Sequence, residues 1–276
     1  MSWCAVRVRG PESEKDAMAA WLVERTGHAV QEQDDGSLTS FAENESAGYL
    51  LLDGFRLVFG DGAQGEVLPL PTVDWTDRWR EGLGPRHVGR LTIAPSWAPA
   101  AESNARTIIL DPETAFGSGE HGSTRSALTL LDRHLRPGDT VLDLGSGSGI
   151  LTIAAAKLGA RRATGIEIDP EAIPVAERNA ARNGVDDRVA FLLGDAAALA
   201  PLLGPAETIV SNILRTANVQ LLPAIAASVT PGGCAIFAGM ETPEREMFLG
   251  PLGAAGFAVV DETTDEGWWS VAARAK

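Results

Sequence analysis

The chain has 276 residues, 45% hydrophobic and 22% charged, enough to bury a full core and without the apolar poverty of disordered chains. Its formal net charge of −14 argues against a broad phosphate-binding face, because nucleic-acid affinity is built from Lys and Arg, and it fits a basic protein partner or plain solubility. Only Cys4 and Cys234 occur, in no disulfide or zinc spacing, and no apolar run is of signal or membrane length, so a cytoplasmic location with no metal and no membrane role is expected.

The first sixty residues read as a small α+β module. Trp3 to Arg9 alternates like a strand, Glu14 to Glu24 has helical apolar spacing, and Tyr49 to Phe59 looks strand-like. Gly60-Asp61-Gly62-Ala63-Gln64-Gly65, followed by Pro69 and Pro71, interrupts regular structure. Residues 1–65 are therefore expected to form one domain and 66–105 a linker and junction. Trp75, Trp79 and Trp97 fall in that junction, where packing is a better use of them than base stacking, since no basic stripe accompanies them. Next, Leu110-Asp111-Pro112-Glu113-Thr114-Ala115-Phe116-Gly117-Ser118-Gly119-Glu120-His121-Gly122-Ser123-Thr124-Arg125 is a glycine-rich loop feeding a helix, suited to covering a ligand.

Within the expected third region, 106–276, strands and helices alternate. Thr140 to Leu144, Ala163 to Ile168, Val189 to Leu193, Thr208 to Ser211 and Ala235 to Ala238 are the predicted strands, with helix stops at Gly159, Asn183-Gly184 and Pro231-Gly232-Gly233. This alternation implies a parallel sheet. Phe257 to Val260 and Trp268 to Ala273 are joined by an acidic turn too short for a crossover helix, so they are predicted to pair as an antiparallel hairpin. An α/β, Rossmann-like sheet ending in such a hairpin resembles the class I methyltransferases.

Val141-Leu142-Asp143-Leu144-Gly145-Ser146-Gly147-Ser148-Gly149-Ile150 is a buried strand running into a glycine turn and a helix. Gly145 and Gly147 let the backbone turn and approach a ligand, and the helix start offers N–H groups toward a carboxylate. A dinucleotide fingerprint wants a small residue where Ile150 stands; the spacing G-x-G-x-G is that of class I methyltransferases. Glu167 ends the second predicted strand, where a carboxylate accepts ribose hydroxyls. Asp195 ends the third, where that class reads the adenine amino group, with a helix cap as the alternative. Asp143 serves either the turn or the cofactor's amino group. Asn212 ends the fourth strand; its amide carbonyl, with the backbone carbonyl of Ile213, can accept hydrogens from an attacking amine, or Asn212 can cap the following helix.

The motif D-P-x-x-A-F-G-x-G-x-H-x-[ST]-T at 111–124, the glycine loop, G-[ILV]-[DE]-I-D-P at 165–170 and N-I-L at 212–214 stand in an order that resembles the bacterial ribosomal protein L-eleven methyltransferases. The resemblance spans residues 70 to 276, including Asp74-Trp75-Thr76-Asp77-Arg78-Trp79 and Ala94-Pro95-Ser96-Trp97; Glu120, Gly122 and Ser211 depart from common family residues without removing a contact. It implies that Thr124, Gly145, Glu167 and Asn212 contact S-adenosylmethionine, which leaves as S-adenosylhomocysteine, and that Phe116 and Gly117 enclose the cofactor and the incoming amine. It also implies N-methylation of lysine side chains or an N-terminal amine of a ribosomal large-subunit protein, with the first 65 residues similar to a substrate-recognition domain. A class I methyltransferase of another protein or a small amine, a nicotinamide-dependent oxidoreductase and a non-catalytic S-adenosylmethionine-binding protein are the alternatives.

Overall fold

A computed structural model describes residues 3–28, 30–33, 35–60, 62–69, 84–100, 104–111, 116, 117 and 119–276. The Asp74-to-Trp79 segment, Pro71, Pro112 to Ala115 and Ser118, all noted in the sequence, lie outside those residues. The chain forms two compact units, 1–82 and 83–276.

In the first unit, strands β1 (Cys4–Arg9), β2 (Gln31–Glu32), β3 (Leu38–Ala42) and β4 (Gln64–Pro69) form an antiparallel sheet in the order β2-β3-β1-β4. Helices α1 (Lys15–Thr26) and α2 (Glu45–Phe59) pack on it through a core that includes Val6, Leu22, Leu52 and Phe55. The segment from Tyr49 to Phe59 is thus helical, not a strand. Its near-continuous apolar run masks a helical period: Gly48, Leu52 and Phe55 are its buried positions, and Asn44 caps it by accepting from the Ala47 N–H at 2.9 Å. Strand β4 also carries the small unit's sheet past the junction expected at residue 66, pairing with β1 from Gln64 to Pro69.

The second unit opens with a three-stranded sheet, β5 (Arg86–Val88), β6 (Leu91–Ala94) and β7 (Thr107–Ile109), much of which falls in the stretch expected to be linker. Helix α3 (Gly122–His134) then leads into the main alternation: β8 (Thr140–Leu144), α4 (Ile150–Lys157), β9 (Arg162–Glu167), α5 (Ala172–Arg182), β10 (Val189–Leu193), α6 (Ala196–Leu203), β11 (Ala206–Asn212), α7 (Arg215–Ser228), β12 (Val229–Glu241), α8 (Arg245–Ala254), β13 (Phe257–Asp265) and β14 (Trp268–Ala275). The sheet order is β10-β9-β8-β11-β12-β14-β13, with β8 to β12 parallel and β14 antiparallel to both β12 and β13. The five parallel strands and terminal hairpin are as the sequence predicts. Helix α7 ends at Ser228, just before the predicted stop at Pro231 to Gly233, and those three residues lie inside the long strand β12, which starts at Val229.

Alternate strand residues face opposite layers. Val141, Val210 and Ile236 join α3, α4 and α5 in one core; Leu142, Ile209 and Phe237 join α6, α7 and α8 in the other. Burial on both faces explains why these strands read as continuous apolar runs. The chain runs outward from β8 through β9 to β10, then returns to begin β11 on β8's other side. That reversal opens a crevice at the strands' carboxyl ends, the place where open α/β sheets bind ligands. Among the described residues no helix is long and apolar enough to cross a membrane.

Candidate active site

A cavity of about 730 Å³ occupies this crevice, within the range of small-molecule sites. It brings together Phe116, Gly145, Gly147, Glu167, Asp195, Asn212 and Ile213; Gly117, Thr124 and Asp143 are not on its wall. Gly147 sits at φ +50, and a Cβ there would fall 2.5 Å from the Phe116 carbonyl oxygen. Only glycine lets the loop after β8 pass so close beneath residue 116, whose carbonyl accepts the Ser148 N–H at 2.9 Å. The loop's own amides are engaged: Gly145 and Ser146 donate to the Ile166 carbonyl, Gly147 to Glu167 and Gly149 to the Ser146 carbonyl. The loop itself therefore contributes close approach rather than free N–H groups.

Glu167 is half-buried at the end of β9. Its Oε2 accepts the Gly147 N–H at 2.8 Å, and its Oε1 accepts those of Ile168 and Asp169 at 2.8 and 3.0 Å. These fix the carboxylate on the cavity wall while using three of about four lone-pair sites. Asp195 caps α6, accepting the Ala197 N–H through Oδ1 at 2.8 Å, and is exposed on the same wall. Asp143 lies fully buried in β8, behind the loop. Burial pushes its pKa up to about 7, against the hydrogen bonds of Thr152, whose hydroxyl donates to Oδ2 at 2.6 Å; Oδ1 has no partner among the described residues.

At the end of β11, Asn212 Nδ2 donates to Thr124 Oγ1 at 3.3 Å, and its Oδ1 is buried without a partner among the described residues. Asn212 is not the cap of α7; Leu214 holds that position and makes no side-chain capping bond. The neighbouring Ile213 carbonyl accepts from Asn218 Nδ2 at 3.0 Å, which also donates to the Ala238 carbonyl at 2.9 Å. Gly239, at φ +81 on the cavity wall, lets that segment approach: a Cβ would lie 2.3 Å from the Ile213 oxygen. Asn218 and Gly239 were missed in the sequence, although a lone glycine inside a strand is a known mark of a bulge or a close backbone approach.

The loop side of the cavity carries Phe116, Ser123 and His121. His121 is tied into the loop: Nδ1 lies 2.7 Å from Ser123 Oγ, and its ring packs on Phe116 and Trp268 with centroids 5.5 and 4.3 Å away. Trp268, also on the wall, gives no local signal in the sequence, where it is the first of two tryptophans opening a strand.

These residues fit an S-adenosyl ligand. Carboxylates stand at the end of β9 and after β10 on the cavity wall, and a ribose and an amino-substituted base are groups that call for such acceptors. Glycine backbone at β8 leaves room for the chain between them, and an orphaned acceptor waits at Asn212.

Comparison with known proteins agrees. Residues 56–276 match the family described as ribosomal protein L11 methyltransferase, PrmA. The ribosomal protein L11 methyltransferase of Pelotomaculum thermopropionicum is 38% identical over 80% of this chain and 72% of its own length; that of Geobacter sulfurreducens is 36% identical over 97% and 96%. The crystal structure of ribosomal protein L11 methylase from Lactobacillus delbrueckii subsp. bulgaricus superposes with a TM-score of 0.63 at 31% identity, covering 70% of this chain and all of that one, 100%.

Proposed function

The chain belongs to the ribosomal protein L11 methyltransferase family and is an S-adenosylmethionine-dependent methyltransferase; we propose that it methylates lysine side-chain and N-terminal amines of ribosomal protein L11, a basic partner for a chain of net charge −14. The observation that carries this reading is the buried, unpartnered Oδ1 of Asn212 on the rim beside the glycine loop.

S-adenosylmethionine supplies an already activated methyl group, so the protein's part is alignment and exclusion of water. Glu167 holds the ribose, Asp195 the adenine amino group, and Gly145 and Gly147 the close approach between them. Gly117 and Thr124 act from behind the wall, Thr124 by holding Asn212. Phe116 closes the loop side. Asn212 Oδ1 and the second lone pair of the Ile213 carbonyl accept the two hydrogens of a neutral amine and thereby direct its lone pair into the cavity. Such alignment is worth about 7 to 11 kcal/mol of barrier. The cavity's largely apolar lining disfavours the ammonium form, and the proton leaves to solvent. Asp143 ties β8 to α4 through the Thr152 hydroxyl.

The test is direct. The protein is incubated with labelled S-adenosylmethionine and unmethylated L11, and the labelled amines are mapped by mass spectrometry. Label on L11 lysines or its N-terminus is expected; label on small amines alone would replace this reading with a small-molecule methyltransferase.

A further inference from the structure

Across the rim the strands run β10, β9, β8, β11, β12, β14. The groups assigned to the adenosyl ligand occupy β10 to β8, and Asn212 follows on β11. Asn212 pairs with Ala238 of β12, whereas Trp268, the first residue of β14, pairs with Glu241 three residues further on, so Trp268 stands two strands across from Asn212 and further out along the rim, roughly 10 Å in each direction at normal sheet spacings. With the donor on one side of Asn212, the acceptor is expected from the other, where the cavity wall includes His121 and Trp268, whose rings pack at a 55° tilt with centroids 4.3 Å apart.

This pair is held from several directions. Arg125 grips the hairpin turn, its Nε and Nη2 on the two oxygens of Asp265 at 2.6 and 2.8 Å and its Nη2 on Glu266 at 2.7 Å. Gly122 lies so close that a Cβ there would be 2.4 Å from the Asp265 carbonyl and 3.0 Å from Trp268 Cδ1. Strand alternation separates Trp268 from Trp269, which is buried in the core against Phe248. The core thus takes the second tryptophan and leaves the first on the cavity.

We propose that the His121–Trp268 pair is the wall along which the acceptor's carbon chain lies as its amine reaches Asn212, making Trp268 a positioning residue for the protein substrate. The inference rests on the methyltransferase reading above. The aromatic surface of Trp268, flanked by the tilted His121 ring, suits the four-carbon stem of a lysine, which packs along apolar surface while its nitrogen projects beyond. It also strips water from the amine before transfer.

The test compares the parent chain with Trp268→Ala and Trp268→Phe, using unmethylated L11 for kinetics and S-adenosylhomocysteine for calorimetry. Expected are a KM for L11 raised about tenfold in W268A, the equivalent of about 1.4 kcal/mol, with kcat and S-adenosylhomocysteine affinity within about twofold and most of the KM restored in W268F. Should W268A be too unstable to assay, Trp268→Leu keeps bulk on the strand without the ring and gives the same readout. An unchanged KM, or an S-adenosylhomocysteine affinity that weakens in step with it, overturns the proposal and makes Trp268 a support of the cofactor loop. Failure of the parent chain to methylate L11 overturns it differently, by removing the reading on which it rests.

Discussion

Asn212 Nδ2 donates to Thr124 Oγ1 at 3.3 Å, fastening the end of β11 to the first turn of α3 and leaving Oδ1 of the same amide as a buried acceptor. The orientation of the amide, and hence of that acceptor, depends on the threonine hydroxyl. Asn212→Ala should lower kcat by about 10²–10³, the range for removing one positioned hydrogen-bonding group, while S-adenosylhomocysteine affinity falls only a few-fold. Thr124→Val should lose about tenfold in kcat. Steady-state kinetics beside calorimetry checks both, and unchanged turnover in the alanine variant would remove Asn212 from the mechanism.

Glu167, proposed to hold the ribose, is tied to the glycine loop, because one carboxylate receives the Gly147 N–H as well as those of Ile168 and Asp169. Glu167→Gln places an NH₂ donor where one of these N–H groups points and discards the charge. Hydrogen bonds to a charged group contribute about 1.5–3 kcal/mol, so S-adenosylhomocysteine should bind about 10- to 100-fold more weakly. Calorimetry showing an unaltered Kd would take Glu167 out of the ribose contact.

Much of this arrangement is legible in the chain itself. The parallel strands announce themselves through β-branched runs, and Gly145, Gly147, Glu167 and Asn212 stand at strand ends, where topology alone carries them to one rim. What stays hidden is long-range. Trp268 is separated by 147 residues from His121, the ring it packs against, and nothing local in a hairpin strand says which of two tryptophans faces a cavity. Asn218 looks like an ordinary helical polar residue until Gly239 brings the Ile213 carbonyl within its reach. Helix α2 is hidden for the opposite reason: Tyr49 to Phe59 is apolar at too many positions for its period to show.

Gly147 and Gly184 make a matched pair. Both have positive φ, +50 and +60, but a Cβ on Gly184 meets nothing within 4 Å, whereas one on Gly147 meets the Phe116 carbonyl at 2.5 Å. Each alanine substitution carries the left-handed backbone cost of about 1–2 kcal/mol. Only Gly147→Ala should also displace residue 116 and abolish measurable S-adenosylhomocysteine binding. Equal affinities in the two variants would show that the loop does not need to run beneath Phe116.

Asp143 gives the protein a pH dependence of definite sign. In the unfolded chain its carboxyl titrates near 3.8, whereas in the fold burial raises it to about 7, with Glu167 adding to the rise. Between these values the native state holds a proton that the unfolded state has lost, so the contribution of Asp143 to stability is full below the lower value and is lost as pH rises through the upper one. The whole change is on the order of 4 kcal/mol. Asp143→Asn keeps the shape and an acceptor for Thr152 but cannot ionise. Its buried amide carries a fixed cost at every pH, so the informative quantity is the slope. Denaturant unfolding between about pH 5 and pH 8 should show the parent chain losing stability that the variant keeps, and parallel curves would mean that Asp143 is already ionised in the fold.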